Sequence, residues 1–352
     1  MLGPVMIDIR SFVLDEQEIT MIKNPLCGGV ILFSRNFSDK KQLNDLCQSI
    51  RAIKKPSPLI CVDHEGGRVQ RFHQGFISLP PMAELGKIYQ ENKQDAIEYS
   101  YNIGECIAME LQSCGIDFSF TPVLDINHGN SGVIGDRAFS HNPLTITTIA
   151  HSLMKGMQDN GMQAVGKHFP GHGYVKADSH LSLPIDDRDF DSIYTADLRP
   201  FKAMIQHNIA AIMPAHIIYQ KIDPDPAGFS KFWLQDILRN KLEFEGVIFS
   251  DDLSMAGAKF AGSYIQRAKK ALDAGCDMVL VCNHPAEANN ILDNLDVDKI
   301  KNYNQAISSM RLLRMHGKNI TSYDKLKYNN RYQNISQKIK NKFENHDLQM
   351  DL

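Results

Sequence analysis

Long hydrophobic runs are missing from this chain. No stretch of its 352 residues approaches the ~20 consecutive apolar residues of a membrane-spanning helix. Residues 1–8 carry no basic group ahead of their short apolar run, and Asp8 ends that run, so neither a signal peptide nor an anchor is expected. Charge of one sign is also missing. A formal net charge of −3 gives no electrostatic footprint for nucleic acid, and the locally basic stretch 299–342 reads as a solvated helical face. The seven cysteines (27, 47, 61, 106, 114, 276 and 282) are scattered and odd in number, and no two form a C-x-x-C pair. Several sit in apolar runs, which suits reduced thiols packed as small hydrophobes in a cytoplasmic protein better than a disulfide framework. No G-x-G-x-x-G follows the first apolar run, and nothing is low in complexity.

Eight short apolar runs are present instead, at 4–9, 28–33, 59–63, 116–125, 162–168, 209–216, 246–251 and 276–282. Near-continuous apolar character over so few residues predicts strands buried on both faces, as in a parallel sheet. Amphipathic stretches separate them, at 39–53, 96–114, 145–160, 196–207, 232–242 and 264–274, and Gly115, Gly161 and Gly275 supply C-cap signals. Eight βα units predict a single (β/α)8 TIM-type barrel over residues 1–300, with an open doubly wound sheet as the alternative. Residues 301–352 read as a C-terminal extension of two further helices around a polar break at 316–324, packed on or beside the barrel.

The ends of the runs carry the chemistry. Asp8, Asp63, Asp125, Lys167 with His168, His216, Asp251 and Asn283 all fall at or just past a C-terminal strand end. In a barrel these positions share one rim, the rim that bears catalytic residues in this fold. Helix caps account for one or two such aspartates, but not readily for a Lys-His pair or for His216 after Pro214.

One segment stands out: KHFPGHGYVKADSH, residues 167–180. Three histidines, two lysines and an aspartate in one glycine-punctuated loop are costly to bury without partners, and a loop of this length signals function. Within it, Asp178 and His180 form a D-x-H pair in which the carboxylate can orient and raise the imidazole, giving an acid and base that works near neutral pH. Asp251, followed by Asp252, is a strand-end carboxylate suited to act as nucleophile, base or metal ligand, or simply as an N-cap.

These residues carry a resemblance. KHFPGHG…DSH, with GVIFSDDLSM (246–255), VDHEGGRVQRF (62–72), GGVILFSRNF (28–37) and GIDFSFTPVLDINHGNSGVIGDRAF (115–139), resembles glycoside hydrolase family 3, in its single-domain β-N-acetylglucosaminidase branch of the NagZ type. The likeness runs in order through most of the chain. It implies that Asp251 is the nucleophile of a retaining mechanism, that His180 is the acid/base and that Asp178 polarises it. It also implies that Asp63, Arg71, Arg137, Lys167 and His168 hold the N-acetylglucosamine unit, with no cofactor and no metal. The implied substrate is a small molecule, the terminal β-linked N-acetylglucosamine of 1,6-anhydro-muropeptides in peptidoglycan recycling, and neither nucleic acid nor membrane is a partner. Two departures are noted: His64 stands where many relatives have glutamine, and Tyr174 fills a position that is often small.

Physical chemistry supports these roles. Charge-assisted hydrogen bonds suit sugar hydroxyls, with Lys167 and His168 as donors and Asp63 as acceptor, and Gly66 and Gly67 are expected to let backbone approach a flat ligand. Gly171 and Gly173 are expected to serve as hinges that carry His180 over a bound sugar. The alternatives are a phosphorylase using the same residues, because a neutral imidazole does not repel incoming phosphate, and a metal-dependent barrel hydrolase using His168, His172, His180, His216 and Asp251.

Overall fold

The computed structural model describes residues 1–176, 183–318 and 321–343. Its centre is a sheet of eight parallel strands: β1 (Val5–Asp8), β2 (Cys27–Leu32), β3 (Leu59–Val62), β4 (Phe118–Ser119), β5 (Val165–Phe169), β6 (Ala211–Pro214), β7 (Val247–Asp252) and β8 (Met278–Val281). Strand β1 pairs with β2 and β8, and the hydrogen-bonded order runs β4-β3-β2-β1-β8-β7-β6-β5. The ends of that order meet through the backbone beyond β4, where Val165 N–H donates to the Thr121 carbonyl, Lys167 N–H to that of Pro122, and Leu124 N–H to that of Lys167. The sheet therefore closes on itself as the expected (β/α)8 barrel.

Each expected run supplies one strand, because its residues are buried on both the lumen and helix faces. The lumen is filled by side chains. Phe118 and Phe120 from one side meet Phe249 of β7 from the other, with all three ring centroids 5.3–5.4 Å apart. The run 116–125 is shorter as a strand than its hydrophobicity suggests. Pro122 has no N–H to donate, and only Phe118–Ser119 pairs regularly before the chain turns to close the barrel.

Helices Glu16–Lys23, Lys40–Ala52, Lys93–Ser113, Pro143–Asp159, Leu198–Gln206, Tyr264–Ala274 and Pro285–Asn294 wrap the outside. Between β6 and β7 the segment Phe232–Lys241 winds as a wide helix. The described C-terminal residues, 301–318 and 321–343, pack on this shell. Helix Gln305–Leu313 gives Ser308 Oγ to Asp277 at 2.7 Å. Helix Asn330–Phe343 buries Ile335 and Ile339 against Lys93–Ser113, where Tyr332 donates to Glu110 at 2.7 Å and Arg331 pairs with Glu105. No helix among the described residues is long and apolar enough to cross a membrane.

Candidate active site

A cavity of about 500 Å³ opens at the C-terminal rim of the barrel, a volume suited to a small ligand. Its wall collects Phe33 after β2, Asp63 after β3, Lys167 and His168 of β5, Met213 of β6 and Asp251 of β7. Of the expected rim residues, Asp63, Lys167, His168, Asp251 and Asn283 line this one pocket, as do Arg71 and Arg137.

Asp63 and Glu65 organise one side. Lys167 Nζ lies 2.8 Å from Asp63 Oδ1 and 2.6 Å from Glu65 Oε1, while Arg71 stands 3.6 Å from Asp63 Oδ2. Arg137 meets Glu65 as a fork, with Nε to Oε2 and Nη2 to Oε1 both at 2.8 Å, and donates to the Val133 carbonyl at 3.2 Å. Burial opposes the charge on Lys167, but the Asp63 and Glu65 carboxylates outweigh it and raise the ammonium pKa. Burial likewise opposes ionisation of Glu65, and Arg137 and Lys167 reverse that, holding it far below the usual carboxylate range.

The other side is built from the glycine-punctuated loop. His168 places Nδ1 2.7 Å from Asp125 Oδ2, which fixes the ring and leaves Nε2 for the cavity. Asp125 also accepts from the backbone N–H of His172 at 2.7 Å and of His168 at 3.2 Å. Burial would raise Asp125, and the His168 ring and these donors lower it instead. The described part of the loop is fastened at three further points. Tyr219 donates to the Gly171 carbonyl at 2.8 Å, the Arg188 guanidinium lies 4.1 Å over the Tyr174 ring, and Gly173 packs so tightly that a Cβ there would sit 1.7 Å from the Ile126 carbonyl oxygen. The peptide bonds Lys167–His168 and Phe169–Pro170 are cis.

Asp251 lines the cavity at the end of β7, its Oδ1 taking the Asp252 N–H at 2.8 Å. Asp252 turns its own carboxylate to Cys282 N–H at 3.1 Å and Ser254 N–H at 2.9 Å, which ties β7 to the end of β8. Burial, helped by the neighbouring Asp251 charge, pushes Asp252 up to about 6.

Residues 5–315 match the glycosyl hydrolase family 3 N-terminal domain. The chain belongs to glycosyl hydrolase family 3. A β-hexosaminidase of Methylobacillus flagellatus is 55% identical over 316 residues, 90% of this chain and 89% of that one, and one of Nitrosospira multiformis is 50% identical over 96% of each chain. The crystal structure of NagZ from Neisseria gonorrhoeae in complex with N-trifluoroacetyl-D-glucosamine superposes with a TM-score of 0.90 at 44% identity, covering 96% of this chain and 97% of that one. A family 3 β-N-acetylglucosaminidase from a Paenibacillus species superposes with a TM-score of 0.83 at 27% identity, covering 95% of this chain and 66% of that one.

Against this family background, the structure brings Asp63, Arg71, Arg137, Lys167, His168 and Asp251 together around one cavity. Asp178 and His180 lie outside the described residues. His216 departs from its expected place. It is buried away from the cavity wall, stacked on Phe229 at 5.2 Å, and its Nε2 lies 3.2 Å from the Asp252 carbonyl oxygen, a backbone contact that holds the ring between the strands. Asp8 and Asn283 reach the rim but are occupied with Arg35. Gly66 and Gly67, both at positive φ, meet Pro80 and Pro81 rather than a ligand: a Cβ on Gly66 would lie 2.5 Å from the Pro80 carbonyl oxygen. Among the described residues no group of three or more His, Cys, Asp or Glu side chains is placed to hold a metal ion. Sequence reasoning gave Glu65 and Asp125 no role in holding the site together. The available signal was an acidic residue in an otherwise buried stretch, which demands a cation or imidazole partner.

Proposed function

We propose that this protein is a retaining exo-β-N-acetylglucosaminidase that removes a terminal β-linked N-acetylglucosamine. The observation that carries the reading is the pairing, in one rim cavity, of a strand-end carboxylate with a hydroxyl-gripping set, Asp63, Lys167 and His168, in a chain of family 3. Asp251 attacks the anomeric carbon as the bond to the leaving oxygen breaks, and His180, protonated and oriented by Asp178, gives its proton to that oxygen. The now neutral His180 takes a proton from water, the water oxygen bonds to the same carbon, and the bond to Asp251 breaks. Two inversions restore the β configuration. Lys167, His168, Asp63, Arg71 and Arg137 hold the sugar, and no cofactor enters the balance.

The substrate we assign is the N-acetylglucosaminyl end of a 1,6-anhydro-muropeptide, cleaved in the cytoplasm during peptidoglycan recycling. The seven buried, unbridged thiols suit that reducing compartment. The test is nitrophenol release from the β-N-acetylglucosaminide and the β-glucoside, in buffer and with added phosphate. Activity on the acetamido sugar alone, unaltered by phosphate, is expected. Conversion to a sugar phosphate would move the assignment to a phosphorylase.

A further inference from the structure

Glu65 is given no part above in contacting the sugar, yet it touches two of the side chains that are. Its side chain is 2% exposed and sits in the short hairpin of His64–Gly66 and Val69–Gln70, which continues from β3. One oxygen, Oε1, receives Lys167 Nζ at 2.6 Å and Arg137 Nη2 at 2.8 Å; the other receives Arg137 Nε at 2.8 Å. An ammonium has three N–H donors, and Asp63 and Glu65 engage two of those on Lys167, which leaves the third for the cavity.

We propose that Glu65 is the positioning residue of the sugar-binding wall: it holds the two cations Lys167 and Arg137 in a fixed spacing and aims the third Lys167 proton at a substrate hydroxyl. This rests on the glycosidase reading above. Without a carboxylate between them, two buried cations repel each other, and Lys167 falls back on Asp63, the group that Arg71 also approaches at 3.6 Å. The sugar then competes with Lys167 for Asp63, and the wall loses its geometry before any bond is made or broken. Such a loss weakens substrate and transition state alike, so it raises KM and leaves kcat largely intact.

A second consequence concerns ionisation. Lys167 faces Asp63, Glu65 and Arg137 directly, with Arg71, His168, His172 and Asp251 farther round the same cavity. Burial and Arg137 lower its pKa, and the two carboxylates raise it. Removing one carboxylate shifts the balance toward the neutral amine, so the alkaline loss of sugar affinity moves to lower pH, whereas the alkaline limb of kcat/KM belongs to protonated His180.

The experiment is Glu65→Gln assayed on nitrophenyl β-N-acetylglucosaminide beside the wild type. KM is expected to rise about tenfold or more, in line with loss of a charged hydrogen bond, with kcat within about threefold. The alkaline loss of N-acetylglucosamine affinity, read by calorimetry across pH, is expected to move to lower pH. Glu65→Asp keeps the charge but shortens the reach, so it should return that alkaline loss of affinity to its wild-type place while KM stays raised. If Glu65→Gln does not fold, as judged by circular dichroism, Glu65→Asp decides alone, and a wild-type KM there overturns the proposal. A folded Glu65→Gln with unchanged KM and an unmoved alkaline loss of affinity overturns it as well. A wild type that neither cleaves the glycoside nor binds N-acetylglucosamine by calorimetry removes the glycosidase reading itself, and this proposal with it.

Discussion

His64 lies buried between Phe72 and Phe76, with ring centroids 6.0 and 5.7 Å away, and burial lowers its pKa to about 3. Burial lowers His172 to about 4 and moves His216 in the same direction. A histidine that stays neutral in the fold but ionises near pH ~6.5 in the unfolded chain leaves stability untouched above that pH. As pH falls below it, the unfolded state binds protons that the fold refuses, and stability drops until the folded pKa is reached. Each such group contributes up to about 1.4 kcal/mol per pH unit. The urea midpoint should therefore fall steeply between about pH 6.5 and 4, and His64→Gln should flatten the slope by roughly one proton. An unchanged slope in that variant would mean that His64 is protonated in the fold. At this scale the sequence marked Asp63, Lys167, His168 and Asp251, which share the rim cavity, because their types are chemically unusual for strand ends. It did not reveal their partners, since nothing local says that Arg137 is claimed by Glu65 or His168 by Asp125.

Helices Lys93–Ser113 and Pro143–Asp159 cross at glycines. A Cβ on Gly104 would stand 2.1 Å from the Leu153 carbonyl oxygen, and one on Gly156 would stand 2.2 Å from that of Tyr101. Both contacts are with backbone, which cannot step aside, so Gly104→Ala must push the helices apart. It is expected to cost roughly 1–3 kcal/mol in thermal or urea unfolding, and a variant as stable as the parent would contradict the packing described. The strands and helices were legible because eight apolar runs alternated with amphipathic ones, with glycine caps at Gly115, Gly161 and Gly275 that indeed take positive φ. The wide helix Phe232–Lys241 and the true length of β4 were not, because tertiary contacts rather than local preference decide them. Gly66 and Gly67 were legible as special but not in purpose, since a glycine says that something comes close without saying what.

Across the whole molecule, the seven cysteines are buried and unbridged. Burial raises their thiols, to about 11 for Cys27 and Cys114, so thiolate is scarce at neutral pH. Iodoacetamide is expected to label none of them promptly in the native protein and all seven after denaturation, as counted by intact mass, whereas rapid native labelling would contradict the burial. The C-terminal helix Asn330–Phe343 belongs to the same packed body, joined through Tyr332 to Glu110, which in turn holds Lys40 at 3.0 Å and the Ile77 N–H. That polar chain links the helix to the segment following Arg71, a connection across more than 200 residues that no sequence pattern announces.

The account turns on a covalent bond between Asp251 and the sugar. The most direct measurement is peptide mapping by mass spectrometry after incubation with an activated 5-fluoro-N-acetylglucosaminide, whose fluorine slows both displacements while its activated leaving group restores the first, so that the glycosyl-enzyme accumulates. One N-acetylhexosaminyl adduct is expected on the peptide that contains Asp251, absent from Asp251→Ala, whose kcat/KM on the nitrophenyl glycoside should fall on the order of 10³-fold or more. An adduct on another residue, or turnover of Asp251→Ala at the parent rate, would contradict it.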